Sequence, residues 1–371
     1  MVKTTNLGYQ QTLYWGNEAT YGSADTVDES IGLVQSVNPT ETNNLIKIRT
    51  MGGSRDYSNI VPGKFEVSGN FDYYLQGAAL LRQAFGEDTA STATVDSGPK
   101  IHTGNSTTGY AYLHVMGSAA SPSADSFPSF TLEFADTEDT GALATTSNLN
   151  RTYDGCRINN LGISGTVDEP VKVSVDWIAQ NVKVSTGAAS VVTDSTDDPY
   201  VFYQGQVYST SKAVTAATVV DTTSEICEVN SFDFGLNNNL EAVWYISGTT
   251  SAVQTLRSLK NLVVKGRDYD ASLGLHFKNK TMYQRFLGSA SATTDQTTLA
   301  KYQIVLDFVR SGTIGASPKL VTDNWMRIVL GSCAFNSMNI AGSPEDIIAQ
   351  NIDVFVEHAK CYSIDDDSSY V

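Results

Sequence analysis

The sequence has few charged residues, few cysteines and no apolar run of the about 18 residues that a membrane-spanning helix needs. Only 17% of its 371 residues are charged, and acidic residues outnumber basic ones by 40 to 24. The net charge of −16 argues against a protein that grips nucleic acid through its phosphates, because such proteins carry a basic surface. The start of the chain lacks a basic segment followed by an apolar one, so a signal peptide is not expected.

Motifs for metal binding and catalysis are also missing. The four cysteines lie far apart, which indicates buried or free thiols in place of a zinc site or a disulfide framework. The four histidines form no zinc-binding pair, and there is no nucleophile elbow and no phosphate-binding loop. We therefore expect no enzyme activity, no cofactor and no metal. Acidic clusters near Asp136 and Asp194 have the oxygen ligands that calcium prefers, but neither follows the twelve-residue calcium loop, and acidic turns in water are the favoured interpretation.

The residues that are abundant alternate between apolar and polar. Hydrophobic residues make up 41% and aromatic residues 10% of the chain, which is enough to build a core. Alternation across 65–73, 171–177 and 302–308 has the period of strands with one wet face. Short apolar segments that end at Gly86 and Gly288 each predict a short helix. The prediction is a β-rich α+β fold with two short helices.

The chain repeats itself at an interval of about 195 residues. The matched segments are 34–38 with 229–233, 43–45 with 238–240, 65–69 with 262–266, 130–134 with 304–308, and 173–177 with 354–358. The third pair has an interval of 197, and the order of the segments is the same in both halves. This pattern predicts a duplication, with domains at 1–190 and 200–371 and a Ser-, Thr- and Asp-rich linker at 191–199.

Several tracts of the first half also carry a family resemblance. They are 35–40, 46–50, 62–69 with the short helix after it, and 153–161 before the strand 171–179. In these tracts the chain resembles the major tail tube proteins of long-tailed, siphovirus-like bacterial or archaeal viruses, in a duplicated two-domain form. The resemblance implies two similar tail-tube domains, each a β-barrel or sandwich of antiparallel strands with one short flanking helix.

For function, the resemblance implies a structural virion protein that is made in the host cytoplasm. Such proteins form rings that stack into the hollow tube of a long non-contractile tail, through which viral DNA passes during ejection into the host. A duplicated chain needs only three copies for a pseudo-sixfold ring. The implied partners are further copies of the chain, a tape-measure protein and double-stranded DNA in the lumen without sequence-specific binding, and tail terminator and distal tail or baseplate proteins. No membrane is implied.

Two sets of residues are predicted to serve this assembly. The loops 50–63 and 247–260 are too long for tight hairpins, so we expect them to contact the adjacent ring. The candidate ring-stacking residues are Gly52, Gly53, Arg55, Asp56, Thr249 and Arg257. The candidate lumen-facing residues are Glu66, Asp72, Lys265 and Arg267. They predict a net negative lumen with basic spots, in which phosphates are repelled and DNA slides.

Three other interpretations stay open on the sequence alone. A secreted or cell-surface β-sandwich, such as an adhesin or a surface-layer protein, shares the acidic, cysteine-poor composition. A carbohydrate-acting enzyme needs two carboxylates at one cleft, which a sequence does not place. The inner tube of a contractile tail has the same mechanics and would add a sheath as partner.

Overall fold

The computed structural model describes most of the chain. The described residues are 11–51, 55–86, 91–92, 112–117, 127–136, 149–185, 190, 192, 197–215, 225–245, 257–310, 325–344 and 347–365. Their strands pair in antiparallel fashion throughout, and their helices are short, which confirms the predicted β-rich class.

The elements follow one another in two series. The first half contains β1 (Gln11–Asn17), β2 (Glu29–Ser30), β3 (Leu33–Thr42), β4 (Ile46–Ile48), β5 (Asn59–Val61), β6 (Glu66–Tyr74), α1 (Arg82–Phe85), β7 (Ser91–Thr92), β8 (Tyr112–Met116), β9 (Phe130–Asp136), β10 (Leu149–Thr166), β11 (Lys172–Ala179) and β12 (Asn181–Ser185). The second half contains β13 (Gly205–Thr210), β14 (Glu225–Ile226), β15 (Val229–Asn237), β16 (Leu240–Val243), β17 (Asn261–Val264), β18 (Asp268–His276), α2 (Thr281–Phe286), β19 (Tyr302–Val309), β20 (Trp325–Ala341), β21 (Ala349–Phe355) and β22 (His358–Asp365).

A central sheet of eight strands runs through both halves. Its order is β3–β6–β11–β10–β15–β18–β21–β20, and the pairing of β10 with β15 joins the halves. Two outer sheets lie beside it, in the orders β2–β1–β9–β10–β12 and β14–β13–β19–β20–β22–β8–β7. Strand β8 belongs to the first half by sequence but pairs in the outer sheet of the second.

The long strands β10 and β20 each cross from an outer sheet into the central sheet. A bulge with a left-handed residue marks the corner, Gly155 in β10 and Ser332 in β20. The thiol of the next residue, Cys156 or Cys333, contacts the carbonyl three residues back in both strands. The inner faces of the sheets then enclose one continuous hydrophobic cluster.

The helices lie where the sequence predicts them. Helix α1 follows a 3₁₀ turn at Ala79–Leu81 and ends at Gly86, which has a φ of 69°. Gly288, with a φ of 122°, follows α2. Neither residue could readily be replaced by a residue with a Cβ, because this region favours glycine.

The pairing corrects three of the matched segments. Strand β3 has a bulge one residue after Val34, and strand β15 has a bulge one residue after Val229, so the interval of 195 holds for these two strands. The partner of β15 is β18, however, and Leu262 lies in β17, which pairs with β16. The strand containing Val67 therefore corresponds to β18 at an interval of 202, because the second hairpin is seven residues longer than the first.

The two later matches are shifted by even numbers of residues. Phe130 lies opposite Cys156 and Tyr302 lies opposite Cys333, which sets the interval at 172. Comparing the residues that lie opposite one another in β10–β11 and in β20–β21 in the same way shows that Asp176 of β11 corresponds to Asp353 of β21. An even shift keeps every side chain on the same face of a strand, so the alternation could not reveal the error.

A buried ion pair generates the first prediction. Arg327 donates to Asp307 at 2.8 Å, both side chains are fully buried, and the indole of Trp325 also donates to Asp307 at 2.6 Å. Replacing Arg327 by Met leaves an unpaired buried carboxylate, so unfolding in urea should become easier by about 3–5 kcal/mol. The control is Lys278→Ala, which breaks a surface ion pair with Glu228 and should leave the urea midpoint unchanged. Equal midpoints for the two variants would contradict the prediction.

Candidate assembly interface

The central sheet has one apolar and one polar face. The apolar face contributes buried side chains such as Phe71, Val175 and Phe234 to the core. On the opposite face the strands carry seven acidic residues and one lysine: Glu66, Asp72, Asp176, Asp233, Asp268, Asp270, Asp353 and Lys172. Burial and the neighbouring carboxylate of Asp270 raise the pKa of Asp233 above its usual value. Serine, threonine and asparagine occupy much of the remaining polar face.

Two of the four predicted lumen residues lie on this polar face. Asp72 forms an ion pair with Lys172 at 3.3 Å and accepts a hydrogen bond from Ser36 at 3.2 Å. Glu66 accepts hydrogen bonds from Lys64 and from Asn44, both at 2.6 Å. These contacts lower the pKa of Glu66, and the contact with Lys64 has the larger effect.

The two basic candidates lie elsewhere. Lys265 is in the connection between β17 and β18, where it pairs with Glu241 at 2.5 Å. Arg267 is half-buried and donates to the Asn238 side chain at 2.8 Å and to the Phe85 carbonyl at 2.9 Å. The guanidinium thus fills the contact between α1 of the first half and the second half.

The junction between the halves is a strand pairing closed at one end by asparagines. The Asn238 amide nitrogen donates to the Asn159 carbonyl at 2.8 Å, and the Asn159 side chain accepts from the Leu240 amide at 2.8 Å. The fully buried side chain of Asn238 donates to the carbonyls of Ile158 and Ala84 at 3.0 and 3.2 Å. This end of the pairing is therefore fixed by side chains as well as by the backbone.

Each half carries a hairpin at the same end of the central sheet, since β3 and β15 run in the same direction. The first hairpin is β4–β5 and the second is β16–β17. An asparagine with positive φ precedes each, and its side chain bonds the far side of the hairpin base: Asn44 reaches Lys64 and Glu66, and Asn239 reaches Gly266 and Asp268. The two bases are thus built in the same way.

The second hairpin packs on the first half. Arg157 donates to the Leu262 carbonyl at 2.5 Å. Arg257, a predicted ring-stacking residue, donates instead to the Gly63 carbonyl and the Asn43 side chain, both at 2.8 Å, within the same chain. Arg55 and Asp56 are exposed at the first hairpin. Gly52, Gly53 and Thr249 lie outside the described residues.

The outer edges of the central sheet are β3 and the C-terminal part of β20. Within the described residues, each of these two segments pairs with a central-sheet strand on one side only. Pro39 lies in β3, and its missing N–H suits an edge strand. Apart from Pro39, no local pattern identifies these strands as edges, because their polar–apolar alternation resembles that of β6 and β18, which lie inside the sheet.

The described residues show no arrangement typical of an active site. No group of three or more His, Cys, Asp or Glu side chains among them is placed to hold a metal ion. No helix in the described ranges is long and apolar enough to cross a membrane. None of the four cysteines, all of which lie in the described ranges, forms a disulfide, and burial raises the pKa of the Cys333 thiol to about 12.

Comparison with known proteins gives one match. A family model described as "Phage tail tube protein" matches residues 8–354, which is nearly the whole chain. No curated protein matches the sequence.

The asparagines of the junction generate the second prediction. Asn238→Ala removes two side-chain hydrogen bonds to buried carbonyls, so the unassembled chain should lose about 1–3 kcal/mol of unfolding free energy. The matched control is Asn43→Ala, because Asn43 is the exposed counterpart of Asn238 in the first half and its side chain loses only a solvent-exposed hydrogen bond from Arg257, which contributes little to stability. Thermal unfolding should show a lower midpoint for Asn238→Ala only. A similar loss for both variants would contradict the role given to the junction.

Proposed function

The chain belongs to the phage tail tube protein family, and from this we propose that three copies close into a ring and that such rings stack into the tail tube of the virion. The observation that carries the proposal is the central sheet, whose halves join by strand pairing and whose two outer edges resemble the strands joined inside. The N–H and C=O groups of a sheet edge are a template for a further strand. Closure of a ring satisfies both edges of every copy.

The proposed units within the chain are two tail-tube domains, at 1–190 and 200–371, with a linker at 191–199. Their support is the repeated order of pairing, with the edge strand, the hairpin, the next strand and the helix in the same succession. The bulges in β10 and β20, each with a free cysteine, add to it. Strand β8 ties the first unit to the outer sheet of the second, so the two units fold as neighbours.

The polar face of the central sheet is the proposed lumen surface. Seven carboxylates and one lysine on its strands give each copy a negative surface, and an enclosed channel focuses that field. DNA phosphates are repelled from such a wall, so double-stranded DNA passes during ejection without sequence-specific binding. The other proposed partners are a tape-measure protein in the lumen and the tail terminator and distal tail or baseplate proteins at the ends. A long non-contractile tail is the proposed setting.

Contact between stacked rings is proposed for the tips of the two hairpins, which leave the same end of the central sheet. The candidates there are Gly52, Gly53, Arg55, Asp56 and Thr249. Arg257 keeps its intramolecular bonds to Gly63 and Asn43, so its part is to hold the hairpin stem in place.

The assembly itself is the third prediction. Negative-stain microscopy of the purified chain should show hollow tubes or rings, and native mass spectrometry of the smallest ring should give three copies. A matched variant is Met338→Pro, which places a proline on the outer edge of β20 and should leave only monomers with wild-type circular dichroism. Monomers from the wild-type chain, or six copies in a ring, would contradict the proposal in the corresponding part.

The lumen charge is the fourth prediction. Asp176→Lys with Asp353→Lys replaces two negative charges by two positive ones and so changes the charge of the polar face by +4 per copy. Virions with this variant should assemble but eject DNA more slowly. The readout is the rate of dye-detected DNA release after triggering. The control is Asp295→Lys in an exposed turn that is not part of the central sheet. Ejection at the wild-type rate in the double variant would refute the sliding argument.

A further inference from the structure

The first hairpin exposes apolar side chains that its counterpart buries. Ile60 is 52% and Tyr57 is 45% exposed. The equivalent residues of the second hairpin, Leu262 and Leu259, are 0% and 2% exposed. The equivalence follows from the pairing, because Ile60 lies opposite Lys47 of β4 and Leu262 lies opposite Ala242 of β16. Apolar side chains that are exposed on one hairpin, while their equivalents on the repeat are buried, mark a contact still to be made.

The second hairpin buries its apolar side on the first half of its own chain. The contacts there are the hydrogen bonds from Arg157 to Leu262 and from Arg257 to Gly63 and Asn43, and the backbone bond from Phe65 to Arg257 at 2.9 Å. The first half thus offers a surface on which a hairpin of this shape docks. The second half has the same architecture, but within the chain no hairpin covers the corresponding surface among the described residues.

The residues of the internal junction recur at the two outer edges. The pairs, with the junction residue first, are Asn159 and Asn336, Asn238 and Asn43, Leu240 and Leu45, and Arg257 and Arg55. Asn159 and Asn336 both occupy the bulge where β10 and β20 pair with β11 and β21. All four pairs are identical in residue type. Asn43, Asn336 and Leu45 are exposed, whereas Asn238 is fully buried.

We infer that, in the ring proposed above, the first hairpin docks on the second half of a neighbouring copy as the second hairpin docks on the first half within the chain. The partner is a second copy, because this chain itself carries both the repeated hairpin and the repeated surface. Ile60 and Tyr57 are then covered, and Asn43 donates to the neighbour's backbone beside Asn336.

The same equivalence fixes the register between copies. Inside the chain, Gly162 of β10 lies opposite Gly235 of β15, and Ile163 lies opposite Phe234. The corresponding residues place Asn339 of one copy opposite Thr40 of the next, and Ile340 opposite Pro39. The backbone N–H of Val167 donates to the Asn230 carbonyl, and that of Asn238 donates to the Asn159 carbonyl. Because hydrogen-bonded pairs alternate along an antiparallel ladder, these two bonds indicate that Ile163 and Phe234 also form a hydrogen-bonded pair.

The junction between copies is consequently weaker than the internal one. Pro39 stands where Phe234 donates its N–H, so one backbone hydrogen bond is lost. Ala334 replaces Arg157, and Phe65 replaces Arg267, so two arginine contacts are absent. Assembly therefore depends more heavily on the apolar side of the first hairpin.

A disulfide test reads the register. In Thr40→Cys with Asn339→Cys, both positions are exposed and lie on opposite edges of the sheet, seven strand spacings or roughly 30 Å apart in one chain. A disulfide can therefore form only between copies. We expect oxidised rings to give a covalent trimer on a denaturing gel. The control, Asn38→Cys with Asn339→Cys, is two residues out of register and should stay monomeric. Rings in which the control links and the first pair does not would overturn the inference while leaving the ring intact.

A second test reads the hairpin contact. Ile60→Glu should raise the concentration needed for assembly at least about tenfold, because a side chain that becomes buried is replaced by a charge. Ile46→Glu is the matched control: Ile46 is 54% exposed, and its counterpart Glu241 is also exposed, so assembly should be unchanged. Unaltered assembly of Ile60→Glu rings would overturn the docking. A wild-type chain that forms no rings overturns the proposed function itself.

Discussion

The structure depends on the need of strands β10 and β20 to satisfy backbone hydrogen bonds in two sheets at once. Each strand leaves an outer sheet at a bulge and continues in the central sheet, so it must change direction without losing its partners. Gly155 and Ser332 supply the left-handed backbone at the two corners. A Cβ at Gly155 would lie 2.8 Å from the Cβ of Gln180, so this corner also requires glycine for space. The layered arrangement of both halves follows from these corners.

A central sheet made in this way has one face against the core and one face free. The core face is fixed by side chains such as Trp177 and Phe234, which the outer sheets cover. Because the free face packs against no other layer of the described chain, it needs no apolar side chains, and carboxylates and small polar residues occupy it. Part of the negative charge of the chain is thus placed on the face that would line the channel of the proposed ring.

The strands and the helices could be predicted from the sequence because each leaves a local signal, and the proposed duplication rests on local signals too. Gly86 and Gly288 end the helices, and the paired asparagines at 43–44 and 238–239 recur at one interval. The sequence comparison wrongly matched Leu262 with Phe65, because the two hairpins differ in length and the interval changes from 195 to 202 across them. The contact of Arg267 with Phe85 could not be predicted, because the two residues are 182 apart in the sequence and no local pattern records such a contact. Which strands lie at the edges depends on pairing between distant segments, and alternation carries no information on that.

Duplication within one chain changes the energetics of the proposed ring. The internal junction is closed by a covalent connection, so its two strands meet at the high effective concentration of an intramolecular reaction. Only the junctions between copies have to form by association, and three copies need three of them where six single-domain chains would need six. The two junction types are also free to diverge. Arg157 and Arg267 strengthen the junction within the chain. In the proposed junction between copies, Pro39 would weaken the strand pairing and would also discourage pairing of β3 with unrelated strands before a ring closes. An edge that must accept one partner and refuse others is best kept incomplete, with its specificity carried by the hairpin beside it.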